Sequence, residues 1–334
     1  QAHLAMADLG YGHAPQQLAA TVADFIAATH GWRIDPAWIV WLPGLVCGLN
    51  LACRAFGTQG VTTLTPVYPP FLSAPGLAAQ QLTTVDMLDA PTGWQIDWAG
   101  LQAALTTQRL LLLCNPHNPV GRAYTAEELQ RLATLAEEQD LLVCSDEIHA
   151  DLLLDQERRH LPFAAQGDAA ARRTVTLMAP SKTFNIPGLG CAFAIASNPQ
   201  LRRRLQQAAA GIVPHPNSLA WPAALAAYRD CREWRLQLLE YLRGNRDLLQ
   251  AAIARLAPLR MHAIEATYLA WIDCRSLGLA EPQRHFEAHG LGLSDGSDFG
   301  APGFVRLNFA CPRSRLQLAL QRLEQAVAAL SPAP

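Results

Sequence analysis

Short apolar runs alternating with helix-length amphipathic segments constrain this chain more than any other feature. Val61–Thr65, Leu110–Cys114, Leu141–Ser145, Thr174–Met178 and Cys191–Ala196 are each of strand length and rich in leucine or β-branched residues. A run that is apolar at nearly every position suits a strand covered on both faces. Residues 125–140 begin Thr125-Ala126-Glu127-Glu128, a capping box in which the threonine hydroxyl and the Glu128 carboxylate each satisfy a free amide at a helix start. Strands alternating with helices need crossover connections, so the expected fold is α/β, a mostly parallel sheet with helices on both faces. After about residue 215 the pattern changes. Residues 221–257 read as long helix broken around Gly244, short runs at 267–272 and 304–309 alternate with loops, and 316–330 read as a last amphipathic helix. The expected organisation is an N-terminal segment (1–30) packing with the small domain, a large domain (31–235) and a smaller C-terminal α+β domain (236–334).

Composition narrows the partners. The 334 residues are 50% apolar and 16% charged, enough for a substantial core, and the formal net charge is -2. That balance removes the broad positive field of a nucleic-acid binder and points to a small-molecule partner. Eight cysteines contain no Cys-x-x-Cys pair, so neither a disulfide framework nor a metal site is expected, and a cytoplasmic protein is. No apolar stretch approaches the ~20 residues of a membrane span, and the start QAHLAMADLG lacks the layout of a signal peptide, so neither anchoring nor export is expected.

Of the 26 lysine and arginine side chains only one, Lys182, is a lysine. An amine can form a Schiff base with an aldehyde, and a guanidinium cannot. Ligands of open parallel sheets bind beyond the carboxyl ends of the strands. There the chain has Tyr68 after the first run, Asn118 after the second, Asp146 after the third and Ser181-Lys182 after the fourth. A ring to stack on, an amide donor, a carboxylate and a lone amine match the needs of pyridoxal 5′-phosphate. Pro43-Gly44-Leu45-Val46-Cys47-Gly48 precedes the helical pattern 49–56, so free amides of a helix start can cradle a phosphate, and the Ser181 hydroxyl can join them.

Seven segments carry a family resemblance: HGWRIDPAWIVWLPGLVCGL (30–49), TPVYPPF (65–71), LLCNPHNPVGRAYTAEEL (112–129), SDEIHADL (145–152), APSKTFNIPGL (179–189), ATYLAWID (266–273) and GFVRLNFACPRS (303–314). The chain resembles the fold type I pyridoxal phosphate enzymes of the aminotransferase class I/II superfamily, and more closely their MalY/PatB-type carbon–sulfur β-lyase branch. The resemblance implies that Lys182 is the imine-forming lysine and Asp146 the pyridinium partner. It makes Asn118 the contact to the phenolic oxygen, near the substrate, and Tyr68 the stacking ring. Leu45 and Val46 become phosphate-binding amides, and Arg306 the clamp for the substrate's α-carboxylate. His149, at the cofactor, stands where many aminotransferases carry tyrosine, and Gly190 where many carry a phosphate-binding arginine; both changes are those of the lyase branch. Met6-Ala7-Asp8 and Gly10-Tyr11 resemble two family segments normally further apart, and Tyr11 would be a phosphate contact reaching a neighbouring subunit.

The implied protein is a homodimer with its active site at the subunit interface, cleaving L-cystathionine, L-cysteine or cysteine S-conjugates to thiol, pyruvate and ammonia. The alternatives are an aminotransferase on the same scaffold and a cofactor-binding regulatory protein with a protein partner. His285 and His289 have helical i, i+4 spacing and Arg202-Arg203-Arg204 is a basic run; both read as solvated helix faces rather than metal or nucleic-acid sites.

Overall fold

The apolar runs pair into one sheet because each can bury both faces. The computed structural model describes residues 5–6, 10 and 12–330, and the elements below are those of the described residues. In chain order the strands are Ile39–Leu42 (β1), Val61–Thr65 (β2), Leu82–Asp86 (β3), Leu88–Ala90 (β4), Gly93–Gln95 (β5), Leu110–Cys114 (β6), Leu142–Asp146 (β7), Thr174–Met178 (β8), Ala192–Ile195 (β9), Leu269–Asp273 (β10), Ser294–Asp295 (β11) and Phe304–Asn308 (β12). The main sheet has the order β1-β9-β8-β7-β6-β2-β3, and β9 alone runs against its neighbours.

The two-residue period of a strand divides its side chains between two cores. Leu110, Leu112 and Cys114 of β6 face helices Leu45–Phe56 and Pro199–Ala209, while Leu111 and Leu113 face helices Trp98–Leu105 and Ala126–Glu138. In β9, Ala192 and Ala194 pack on the first of these sides and Phe193 and Ile195 on a third cluster. Helix Ala126–Glu138 starts as the sequence predicts: Glu128 N donates to Thr125 Oγ1 (3.2 Å) and Thr125 N to Glu128 Oε2 (2.9 Å). The second sheet, β10-β12-β11, is antiparallel and buries its apolar residues against helices Arg232–Ile253 and Arg313–Ala328.

The expected break at Gly244 needs correction, and two further features were not legible in the sequence. The C-terminal helical stretch breaks at Cys231, between helices Ala220–Asp230 and Arg232–Ile253, and runs unbroken through Gly244. The Arg313 guanidinium fills the space a side chain at Gly244 would take, donating to the Tyr241 carbonyl (3.2 Å) and Asn245 Oδ1 (3.0 Å). Within the segment 1–30, helix Gln16–His30 packs on the large sheet's side. Leu18, Val22 and Ile26 bury against Trp221, Ala224, Tyr228 and Phe193. Finally, β1 and β3 were not legible as strands: β3 (LTTVD) is an edge strand with only Val85 buried, so its polar side chains face water and mask the pattern.

Candidate active site

Parallel strands that end on one rim bring their following residues together. Tyr68 follows β2, Asn118 follows β6, Asp146 is the last residue of β7, Ser181 and Lys182 follow β8, and Arg306 comes from β12 of the second sheet. All of these, with Leu45, Val46 and His149, line one cavity of about 330 Å³, within the ordinary range for small-molecule sites. Of the residues singled out in the sequence, Tyr11 lies outside the described residues.

Asn118 is fixed on three sides. Its backbone N–H donates to Cys114 Sγ (3.4 Å), its carbonyl accepts from Tyr68 N (3.1 Å), and its Oδ1 accepts from Arg306 Nη1 (3.0 Å). A guanidinium only donates, so the amide oxygen must face Arg306 and the amide NH₂ stays available as a donor. Arg306 also donates through Nη2 to Ser294 Oγ (3.3 Å), and its guanidinium lies over the Phe299 ring, 4.6 Å from the centroid. Burial weakens its hold on a proton, and among the described residues no carboxylate pairs with it. A half-buried guanidinium bound only to neutral oxygens is a site for an incoming carboxylate.

Asp146 is the complementary case. It is 3% exposed, accepts one hydrogen bond from Ile148 N (3.1 Å), and no cation pairs with it among the described residues. Burial, reinforced by the charge of Glu147, pushes its carboxyl up to about 7 against the pull of the Ile148 amide and Lys182. Lys182 is shifted the other way: burial and the Arg306 charge lower its pKa, and Asp146 only partly opposes them. Its amine is thereby brought closer to a neutral nucleophile or base. Burial, with Lys182 and Arg306, holds His149 neutral, down at about 3. The His149 ring meets Tyr268 edge-on at 5.9 Å, and its buried Nδ1 has no partner among the described residues.

At the opposite wall, helix Leu45–Phe56 begins after Gly44 with no side chain capping it, so its first amides are free beside the cavity. Gly190, also on the wall, has φ +62° and a Cβ there would approach the Pro43 carbonyl to 3.0 Å. An arginine at that position would be strained, which leaves the helix start and Ser181 as the anion-binding groups. Together the groups fit pyridoxal phosphate: a cation-deficient carboxylate for its ring nitrogen, an amide donor, a ring to stack on, an amine and a phosphate cradle. Tyr268 and Asn308 line the same cavity and were given no role from sequence, although both lie in segments that carry the family resemblance. Ser294 and Phe299, which back Arg306, had no sequence signal at all.

The other singled-out groups are bound internally. His285 Nε2 pairs with the Ala326 carbonyl and His289 Nδ1 with the His285 carbonyl, both at 2.9 Å. Arg202 donates to the carbonyls of Ala196 and Ser197, and Arg204 to that of Ala55.

Behind the cavity, Asp151 joins four segments. It accepts from His30 Nε2 (2.9 Å) and Thr183 Oγ1 (3.4 Å) and lies 3.7 Å from Arg235. Burial acts to raise its carboxyl, but the hydrogen bond and charge of His30, with the charges of Arg235 and His160, outweigh it and hold the group below its ordinary range. Asp151→Asn leaves His30 and Arg235 buried opposite a neutral amide and is expected to cost about 3 kcal/mol near neutral pH. Because the folded-state pKa is depressed, this contribution is present above the ordinary carboxyl pKa and is lost as pH falls through the lower folded value. Denaturant titrations of both proteins should therefore converge in acid; an equal difference at all pH values would exclude this account.

The model of the class I and II aminotransferase family matches residues 5–323. Cystathionine β-lyase PatB of Bacillus subtilis (strain 168) is 34% identical over 333 residues, covering 95% of this chain and 85% of that protein. Among solved structures, OvoB is 45% identical, with a TM-score of 0.94 over 96% of this chain and 86% of its own. Cystalysin from Treponema denticola, whose crystal structure contains pyridoxal 5′-phosphate, is 31% identical with a TM-score of 0.94, over 98% and 86% of the two chains. Among the described residues no helix is long and apolar enough to cross a membrane.

Proposed function

From a chain that belongs to the aminotransferase class I and II family, we propose a carbon–sulfur β-lyase acting on L-cystathionine, L-cysteine or cysteine S-conjugates. One water is consumed, and thiol, pyruvate and ammonia are released. The cofactor is pyridoxal 5′-phosphate, which when bound supplies the electron sink for the pair left at the substrate's Cα.

In this reading Lys182 would hold the cofactor through its amine, and its Nζ takes the substrate's Cα proton. Asp146 balances the charge of the ring nitrogen, Asn118 donates its free NH₂ to the phenolic oxygen, and Tyr68 covers the ring face. The amides of Leu45 and Val46 and the Ser181 hydroxyl hold the phosphate. Neutral His149 packs beside the ring without adding a charge. Arg306 holds the α-carboxylate in the orientation that leaves the Cβ–S bond free to break. The observation that carries the reading is a single cavity containing a guanidinium without a carboxylate, a carboxylate without a cation, and the chain's sole lysine. His149 and Gly190, with the kinship to PatB, favour elimination over transamination.

Cytoplasmic location belongs to the same proposal, supported by eight free cysteines. So does a homodimer, supported by the 41% exposure of Val46 at the cavity's edge. The test is catalytic: thiol and pyruvate should form from L-cystathionine or S-methyl-L-cysteine with no keto acid present, and a strict need for a keto acid would establish the aminotransferase instead. Arg306→Lys keeps the charge but loses the two-pronged fork, so KM for the amino acid should rise about tenfold or more with a smaller change in kcat. Unchanged KM, or equal handling of decarboxylated analogues by the wild type, would free Arg306 of this role.

A further inference from the structure

Arg306 lies on β12 directly opposite Trp271 of β10, and Phe304, two residues earlier, shares its face of the sheet. The Trp271 and Phe304 rings stack at 5.2 Å and 6°, and the Phe299 ring meets Trp271 edge-on at 5.4 Å and 61°. Phe299 is 2% exposed, packed against Trp271 and lying under the Arg306 guanidinium. Its backbone is fixed as well. The Phe299 carbonyl accepts from Val67 N (3.1 Å), one residue before Tyr68, and the turn Gly296–Phe299 is held by Asp295 Oδ1, which accepts from Ser297 N (3.0 Å).

We propose that Phe299 is a positioning residue for Arg306, its ring face standing where a carboxylate would otherwise compensate the charge and fixing the plane of the guanidinium. The inference deepens the reading of Arg306 as the clamp for the α-carboxylate and rests on it. A half-buried guanidinium needs a compensating group. An internal carboxylate would supply one, but it would occupy two N–H donors and compete with the substrate. The face of a ring attracts the cation without taking those donors. Arg306 gives one N–H to Asn118 Oδ1 and one to Ser294 Oγ, and its other donors stay open to an incoming carboxylate. A two-pronged pair requires the guanidinium and the carboxylate to share a plane. A support beneath that plane therefore acts on carboxylate binding and not on the groups that move protons.

The test uses the holoenzyme with S-methyl-L-cysteine and with S-methylcysteamine, the same compound without its carboxylate, reading apparent Kd from cofactor absorbance. The wild type should prefer the amino acid. Phe299→Leu keeps apolar bulk but removes the ring face, so it should weaken binding of the amino acid about tenfold and leave the amine unchanged. Trifluorophenylalanine incorporated at position 299 keeps the shape of the ring while drawing charge off its face. It should lower the same preference roughly threefold or more, and it decides the matter if Phe299→Leu does not fold. Equal weakening of both compounds by Phe299→Leu, or a preference untouched by fluorination, would overturn the proposal and leave Arg306 as the clamp. Equal affinity of the wild type for the two compounds would instead remove Arg306 from that role, and the proposal with it.

Discussion

Lys182→Ala is expected to reduce carbon–sulfur cleavage by roughly 10⁴-fold or more, because one amine both anchors the cofactor and moves the Cα proton. The chain has no substitute: every other basic side chain of the Lys and Arg class is an arginine, which neither bonds to an aldehyde in this way nor gives up its proton near neutral pH. The fold should survive, since Lys182 is only partly buried and the loop around it is fixed by Thr183 on Asp151 and Phe184 in its cluster. Reduction of the wild type with borohydride followed by peptide mapping should find the pyridoxyl group on Lys182. Labelling at any other position, or substantial turnover by the Lys182→Ala enzyme, would overturn the assignment.

Asp146→Asn is expected to move stability and activity in opposite directions. The carboxyl sits at about 7 in the folded protein, chiefly because it is buried. Between the ordinary carboxyl range and about 7 the folded state therefore binds more protons than the unfolded chain, and the cofactor-free protein loses stability as pH rises through that window. Removing the charge should make the cofactor-free Asp146→Asn protein more stable than the wild type at pH 8, by up to roughly 4 kcal/mol, with the advantage fading toward pH 4. Turnover with cofactor should fall roughly 10²-fold, the value of one strong charge-assisted interaction in a buried site. Thermal melts of cofactor-free protein across this range check the first part. A wild type more stable than the variant at pH 8 would mean that Asp146 has a cationic partner in the cofactor-free protein.

The polarity of individual residues explains how far the sequence could be read. β2, β6 and β8 were bounded to the residue because they are buried throughout, whereas β7 starts one residue late and carries Asp146 as its last residue. The edge strand β3 was missed because its exposed threonines and aspartate look like a loop. Gly244 was read as a helix breaker, yet its role is set by Arg313, distant in sequence and invisible to local pattern. The strand-end groups were legible because an open parallel sheet sends all of them to one rim. What was not legible is what depends on three-dimensional return of the chain: Ser294 and Phe299 behind Arg306, and Tyr268 against His149. The packing of helix Gln16–His30 on the large sheet's side is of the same kind, since its apolar stripe suits either domain.

The most direct measurement counts products per active site. Holoenzyme is given excess L-cystathionine or S-benzyl-L-cysteine with no keto acid, and thiol, pyruvate and ammonia are each followed to completion. A β-lyase built from Lys182, Asp146 and Arg306 releases the three in equal amounts over many turnovers, until substrate is exhausted. Arrest after a single equivalent, relieved only by adding a keto acid, would contradict it.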